Sequence, residues 1–194
     1  MSSSRPTRSD AFALLTTYTK TDSLIKHALA VEGVMRHFAA KFGEDPEEWG
    51  IIGLVHDIDY EMYPDEHCQK AVEILEGAGW PQEWIRAVIS HGWGIVSDVK
   101  PESKMEITLY AIDELTGLVN STALMRPSRS VMDMKAKSVK KKWKQKSFAA
   151  GVDRSIIEKG AEMLGMELGD LITETIEGMR TVADDIGLGM TEDA

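Results

Sequence analysis

A single cysteine, Cys68, excludes an intramolecular disulfide and the stapled frameworks of small secreted domains. No apolar run approaches the roughly 20 residues that a membrane-spanning helix needs. The first ten residues, MSSSRPTRSD, lack the apolar core of a signal peptide. Residues 1–9 are therefore expected to form a loose polar tail, and the protein to work in the reducing cytoplasm, away from membranes. Strand-like alternation is scarce, and glycines and prolines fall between periodic segments rather than within them. Helical spacing is what remains, and it predicts an all-α fold.

Positive charge is also scarce outside one segment. The formal net charge is −10, yet residues 126–146 carry nine Lys and Arg against one acid, Asp133. This balance argues against general nucleic-acid binding, while a concentrated basic stretch can focus a small anionic ligand. Lys140, Lys141, Lys142 and Lys144 are the substrate-binding candidates within it; the alternative is a solvated loop or helix face.

Residues 10–20 read as a short first helix. Thr21-Asp22-Ser23 caps a second one ending near Gly43, with Leu24, Ala28, Val31, Met35 and Phe38 on one stripe and His27 beside it. Asp45-Pro46 opens a third, an N-cap followed by proline at the first helical position, which runs to about Asp59. A fourth is expected from about Asp65, with His67, Ala71 and Ile74 on one face. In the fifth, from Pro81, Trp84, Val88 and His91 share a face and Gly92 supplies the stop. A sixth follows Pro101, and residues 153–165 and 167–187 read as two more, packed on the first helices as a lid or as a contact in a homo-oligomer.

Four of the five histidines, His27, His56, His67 and His91, thus take inward-facing helical positions. His56-Asp57 closes the apolar run GIIGLV, and Asp113 interrupts another apolar helix, YAIDELTG. A buried aspartate is costly unless it is paired or bound to a metal. The fifth histidine, His37, rotates toward Lys26 and Lys41 and is assigned no function. Cys68 is read as a small core hydrophobe turned about 100° away from His67 around the helix.

These residues resemble the HD superfamily of metal-dependent phosphohydrolases, whose signature is a His, a His-Asp pair and a distant Asp, each on its own helix. His27, His56-Asp57 and Asp113 match it, with His56 29 residues after His27 and Asp113 56 residues after Asp57. The resemblance implies an HD-domain helical bundle over residues 10–125, with the basic segment and additional C-terminal helices of residues 126–194 packed on the same domain. It implies His27, His56, Asp57 and Asp113 as ligands of a divalent transition metal. In the two-metal subset of the superfamily, two further histidines hold a second ion that the Asp of the pair bridges, and His67 and His91 take those places. Mixed imidazole and carboxylate ligands favour Fe or Mn, with Co, Ni or Zn also suited, over Mg. Two such ions activate water for in-line attack on phosphorus.

The expected substrate is accordingly a nucleotide or another small phosphorylated metabolite, and Asp57 and Asp59 are the catalytic candidates. Relatives that cleave cyclic dinucleotides read His-Asp-Ile-Gly, whereas here Asp59 follows Ile58, which argues against that substrate class. Asp59 either caps the helix, orients a ligand histidine or relays a proton, and Glu114 beside Asp113 is equally open. Residues 124–152 also resemble the tail of bacterial and archaeal HD-domain hydrolases. Two rival readings are a di-iron oxygenase resembling myo-inositol oxygenase, built on the same six ligands, and a regulatory module whose metals are structural.

Overall fold

Short polar side chains cap the starts of four of the helices among the described residues. Asp45 accepts from the Glu47 N–H with Pro46 at the first helical position, Asp153 accepts from Ser155, and Thr7 and Ser103 form reciprocal capping boxes with Asp10 and Glu106. In the computed structural model, which describes residues 5–190, the helices are α1 (Arg8–Tyr18), α2 (Asp22–Phe42), α3 (Pro46–Val55), α4 (Gln69–Gly77), α5 (Gln82–Ser90), α6 (Lys104–Leu124), α7 (Ala136–Trp143), α8 (Arg154–Leu164) and α9 (Leu168–Arg180), and the four caps open α1, α3, α6 and α8. The described residues contain no strand, only an isolated bridge between Trp93 and Ser97. None of their helices is long and apolar enough to cross a membrane.

The two 21-residue helices, α2 and α6, form the centre and pack on each other. Around them, α3 and α9 lie on α2, α8 lies on α6, and α5 touches both α3 and α6. The C-terminal helices approach closely because two contact residues have no side chain. A Cβ at Gly178 would fall 2.6 Å from Val34 Cα, and one at Gly160 2.5 Å from Ala111 Cβ. The shared core includes Phe38, Ile52, Leu115, Ile157 and Ile176, drawn from both halves of the chain. A buried Glu32 ties the first three helices by accepting from Arg8 Nε (2.6 Å) and Arg36 Nε (2.9 Å), while Arg36 reaches Glu47. Burial of that carboxylate is tolerable because both of its oxygens are occupied.

Several expected boundaries shift. Residues 1–4 of the expected tail lie outside the described residues; in the remainder, Arg5 bonds Glu48 at 2.7 Å and α1 already begins at Arg8, set by the Thr7 capping box. Thr21 stands at the N-cap of α2 without using its side chain as a cap; Glu61 instead accepts from Lys20 N–H, Thr21 N–H and Thr21 Oγ1. The expected third helix stops at Val55, four residues early. The fourth starts at Gln69 rather than near Asp65, because Pro64–Glu66 form one 3₁₀ turn and Cys68 has φ 69°. His67 therefore stands in a link and not on a helical face, and the helical argument for the direction of Cys68 falls away, although Cys68 is buried. The last helix ends at Arg180, after which turns carry Ile186 and Leu188 into the core. The basic segment contains a helix, α7, with Val139 as its buried contact.

Candidate metal centre

The last carbonyls of a helix have no partner within it, and this chain uses two of them to orient histidines. His56 is the residue after α3, and its Nδ1–H donates to the Gly53 carbonyl at 2.7 Å. His91 is the residue after α5, and its Nδ1–H donates to Val88 O at 2.5 Å. A carbonyl can only accept, so Nδ1 carries the hydrogen in both rings and each Nε2 is left with a lone pair when the imidazole is neutral. His67 reaches the same state differently: its Nδ1–H donates to Asp59 Oδ1 at 2.7 Å. Asp59 is 0% exposed, and its second oxygen accepts the Ala71 N–H at 2.8 Å, an otherwise unpaired donor in the first turn of α4.

The three Nε2 atoms, with His27 from α2 and Asp113 from α6, converge on Asp57. On one side of its carboxylate, Oδ2 lies 3.3 Å from His56 Nε2 and 3.8 Å from His27 Nε2. Asp113 Oδ1 closes this side, 3.0 Å from His27 Nε2 and 3.2 Å from His56 Nε2. On the other side, Oδ1 lies 3.4 Å from His67 Nε2 and 3.3 Å from His91 Nε2, and those two nitrogens are 3.2 Å apart. Burial opposes charge on His56, Asp57, His91 and Asp113. Even so, Asp57 and Asp113 hold His56 well above the ordinary histidine range, and His56 and His91 hold Asp57 well below the carboxylate range.

The donors suit divalent cations. His56 Nε2 is fully buried without a hydrogen-bond partner, and two imidazole lone pairs face each other between His67 and His91, an arrangement that repels unless a positive charge lies between them. The ligand atoms of His27, His56, Asp57 and Asp113 lie within 4.8 Å of one another and could hold one ion. His67 and His91 form a second group with the Cys68 sulfur. Burial, and then the carboxylates of Asp59 and Asp57, push the Cys68 thiol well up, so it packs as a neutral side chain. Asp57 Oδ1 also faces this group, 3.4 Å from His67 Nε2 and 3.3 Å from His91 Nε2.

The HD domain family's sequence model matches residues 24–141, more than half of the chain. The chain belongs to the HD-domain family. No curated protein and no solved structure gives a significant match to it. Membership implies a metal-dependent hydrolase that binds divalent cations and acts on a small molecule, and the clustered His and Asp side chains of this HD domain offer the ligands.

The cluster opens into a cavity of about 410 Å3, lined by His27, Asp57, His67, His91 and Asp113 at one end. Glu114 also lines it and accepts from the Asp153 N–H at 3.2 Å. Burial, and then the Asp113 carboxylate, raise Glu114 to about 7; a cation bound beside Asp113 acts in the opposite direction. Two expected site features lie elsewhere. Asp59 is absent from the lining and stands behind His67. Lys140, Lys141, Lys142 and Lys144 do not line the cavity either; the Lys142 ammonium lies 4.6 Å from the centre of the Phe148 ring. His37 pairs with Glu174 at 2.7 Å, away from the centre, in keeping with a structural residue. Tyr60, Tyr110, Val152 and Ile156, which build the cavity wall, carry no functional signal in the sequence. No spacing rule marks such residues, since apolar wall and apolar core look alike in sequence.

Proposed function

We propose that the protein is a cytoplasmic metal-dependent phosphohydrolase with two divalent transition metals, Fe or Mn in the first instance, one held by His27, His56 and Asp113 and the other by His67 and His91, with Asp57 shared. Its substrate is a phosphoester or phosphoanhydride of a nucleotide or another small phosphorylated metabolite. The observation that carries this reading is the division of Asp57, whose two oxygens face two separate groups of imidazole nitrogens. When bound, a pair of such cations acidifies water and draws charge from phosphoryl oxygens.

The chain's own residues supply orientation. The Gly53 and Val88 carbonyls and the Asp59 carboxylate keep hydrogen on Nδ1 of His56, His91 and His67, so that every Nε2 stays free for a cation. Asp59 is therefore a positioning residue acting through His67. Leu24, Val152 and Ile156 give the cavity beside the cluster an apolar lining. The lysines of α7 act through long-range attraction of an anionic substrate and not through contact.

The test is phosphate release from a panel of nucleotides and sugar phosphates by protein loaded anaerobically with Mn or Fe, beside chelated protein. Release that requires metal supports the proposal. Oxygen consumption without phosphate release transfers the chain to the di-iron oxygenases, and neither activity in metal-bearing protein points to a regulatory module.

A further inference from the structure

The cavity wall has a composition foreign to a polyphosphate site. Away from the His and Asp cluster it is built mainly from Leu24, Tyr60, Ile95, Val96, Tyr110 and Val152, and no lysine or arginine lines it. The cations near this region stand on an aromatic ring outside the lining: Lys159 and Lys100 sit 3.6 and 5.6 Å from the centre of Trp93, which packs against Tyr110. The opening is apolar as well. Eight large hydrophobic side chains are exposed among the described residues, and three of them, Tyr60, Ile95 and Val96, line this one cavity, with Ile95 61% exposed. Exposed apolar residues scattered singly carry no message, but gathered around a concave site they mark a surface made to be covered.

The charge count points the same way. A phosphate monoester brings about 1.5 to 2 negative charges at neutral pH, which a pair of divalent cations at the cluster can balance. A second phosphate would have to lie along a wall with no cation, beside Glu114 and away from full hydration, at a large desolvation cost. An uncharged ring along the same wall instead leaves water for an apolar surface, and a factor of ten in affinity is a modest return on covering roughly 100 Å2.

We propose that this site takes phosphate monoesters whose alcohol part is uncharged and largely apolar or aromatic, and discriminates against substrates that carry a second phosphate. The inference rests on the phosphohydrolase reading for the fate of the ester, but the preference is a property of binding and can be measured without turnover.

Calorimetry on Mn-loaded wild type should compare phenylphosphonate, propylphosphonate and propane-1,3-diphosphonate, none of which is hydrolysed. Phenylphosphonate is expected to bind at least tenfold more tightly than the diphosphonate, with propylphosphonate between them. A diphosphonate that binds as tightly as phenylphosphonate, or no binding of phenylphosphonate at millimolar concentration, overturns the inference. Ile95→Lys places a cation on the exposed lip, where folding tolerates it, and should narrow the ratio at least threefold; an unchanged ratio shows that this lip does not set the preference. Activity separates the two levels of the account. Preferential binding of phenylphosphonate with no hydrolysis of phenyl phosphate supports the site class and removes the hydrolase reading. Hydrolysis of pyrophosphate in preference to phenyl phosphate does the reverse.

Discussion

The two oxygens of Asp57 face sites of different construction. On the Oδ2 side, His27 and Asp113 project from inside the two long central helices, and His56 is bonded to the last turn of α3. On the Oδ1 side, His91 is bonded to the last turn of α5 just as His56 is to that of α3, but His67 sits in the short link between a 3₁₀ turn and α4. Packed helices hold the first group; a buried carboxylate, Asp59, holds His67 in the second. Helical backbone in a shared core resists displacement, so the first group should survive damage to the second, and the reverse should not hold. Asp57 belongs to both.

The largest effect is therefore expected from Asp57→Ala, which should lose both ions and reduce turnover to background while helical content by circular dichroism stays close to wild type. Full metal occupancy in that variant, by elemental analysis, removes Asp57 from the centre. Next comes Asp59→Asn. Two donors, His67 Nδ1–H and Ala71 N–H, converge on this carboxylate, and an amide offers one acceptor oxygen where two are used. Affinity for one of the two ions should fall by about 10–100-fold, with a stability loss of about 1–3 kcal/mol from the unmatched donor, while the other ion stays at wild-type affinity. Equal weakening of both ions would mean that the two sides are not independently supported.

Proton competition should be smaller and of opposite sign with and without metal. In chelated protein, His56 and His91 are raised above 6.5, so the stability they contribute is complete below pH 6.5 and is lost as the pH climbs through their folded values. Asp57 and Asp113 are lowered below 3.8, so theirs is present above that pH and lost as the pH falls through their folded values. Metals instead require the imidazoles deprotonated. The gap in Tm between loaded and chelated protein should widen from about pH 6 to about pH 8, and a gap that narrows contradicts this ligand set. The smallest effect belongs to α7 and its C-cap: replacing Lys140, Lys141, Lys142 and Lys144 by Gln should lower kcat/KM by about two- to tenfold at low salt and flatten its salt dependence. An unchanged salt slope returns those lysines to a solvated surface.

How much of this was legible in the sequence follows the same division. The Asp45-Pro46 start, the apolar stripe of α2 and the embedded Asp113 are local signals of helix period and capping, and the structure reproduces them. In sequence His67 looks helical because Ala71 and Ile74 extend its spacing, whereas Pro64 and the positive φ of Cys68 take the backbone out of the helix before α4. The hydrogen bond from Ala71 to Asp59 had no local signal at all, since it joins residues 12 apart across that link. Charge was the weakest guide: the conspicuous lysine run lies outside the cavity, and the wall is made of apolar residues indistinguishable in sequence from core.

In the proposed centre two ions share Asp57, and metal stoichiometry tests that sharing. Elemental analysis of wild type, His67→Ala and His27→Ala, each loaded anaerobically with excess Fe or Mn and then desalted, should give about two ions per chain for wild type and about one for His67→Ala. His27→Ala, which strips a ligand from the helix-borne side, should fall below one. One ion per chain in wild type, unchanged in His67→Ala, would contradict the two-metal centre and leave His67 and His91 as residues that line the cavity without holding a metal.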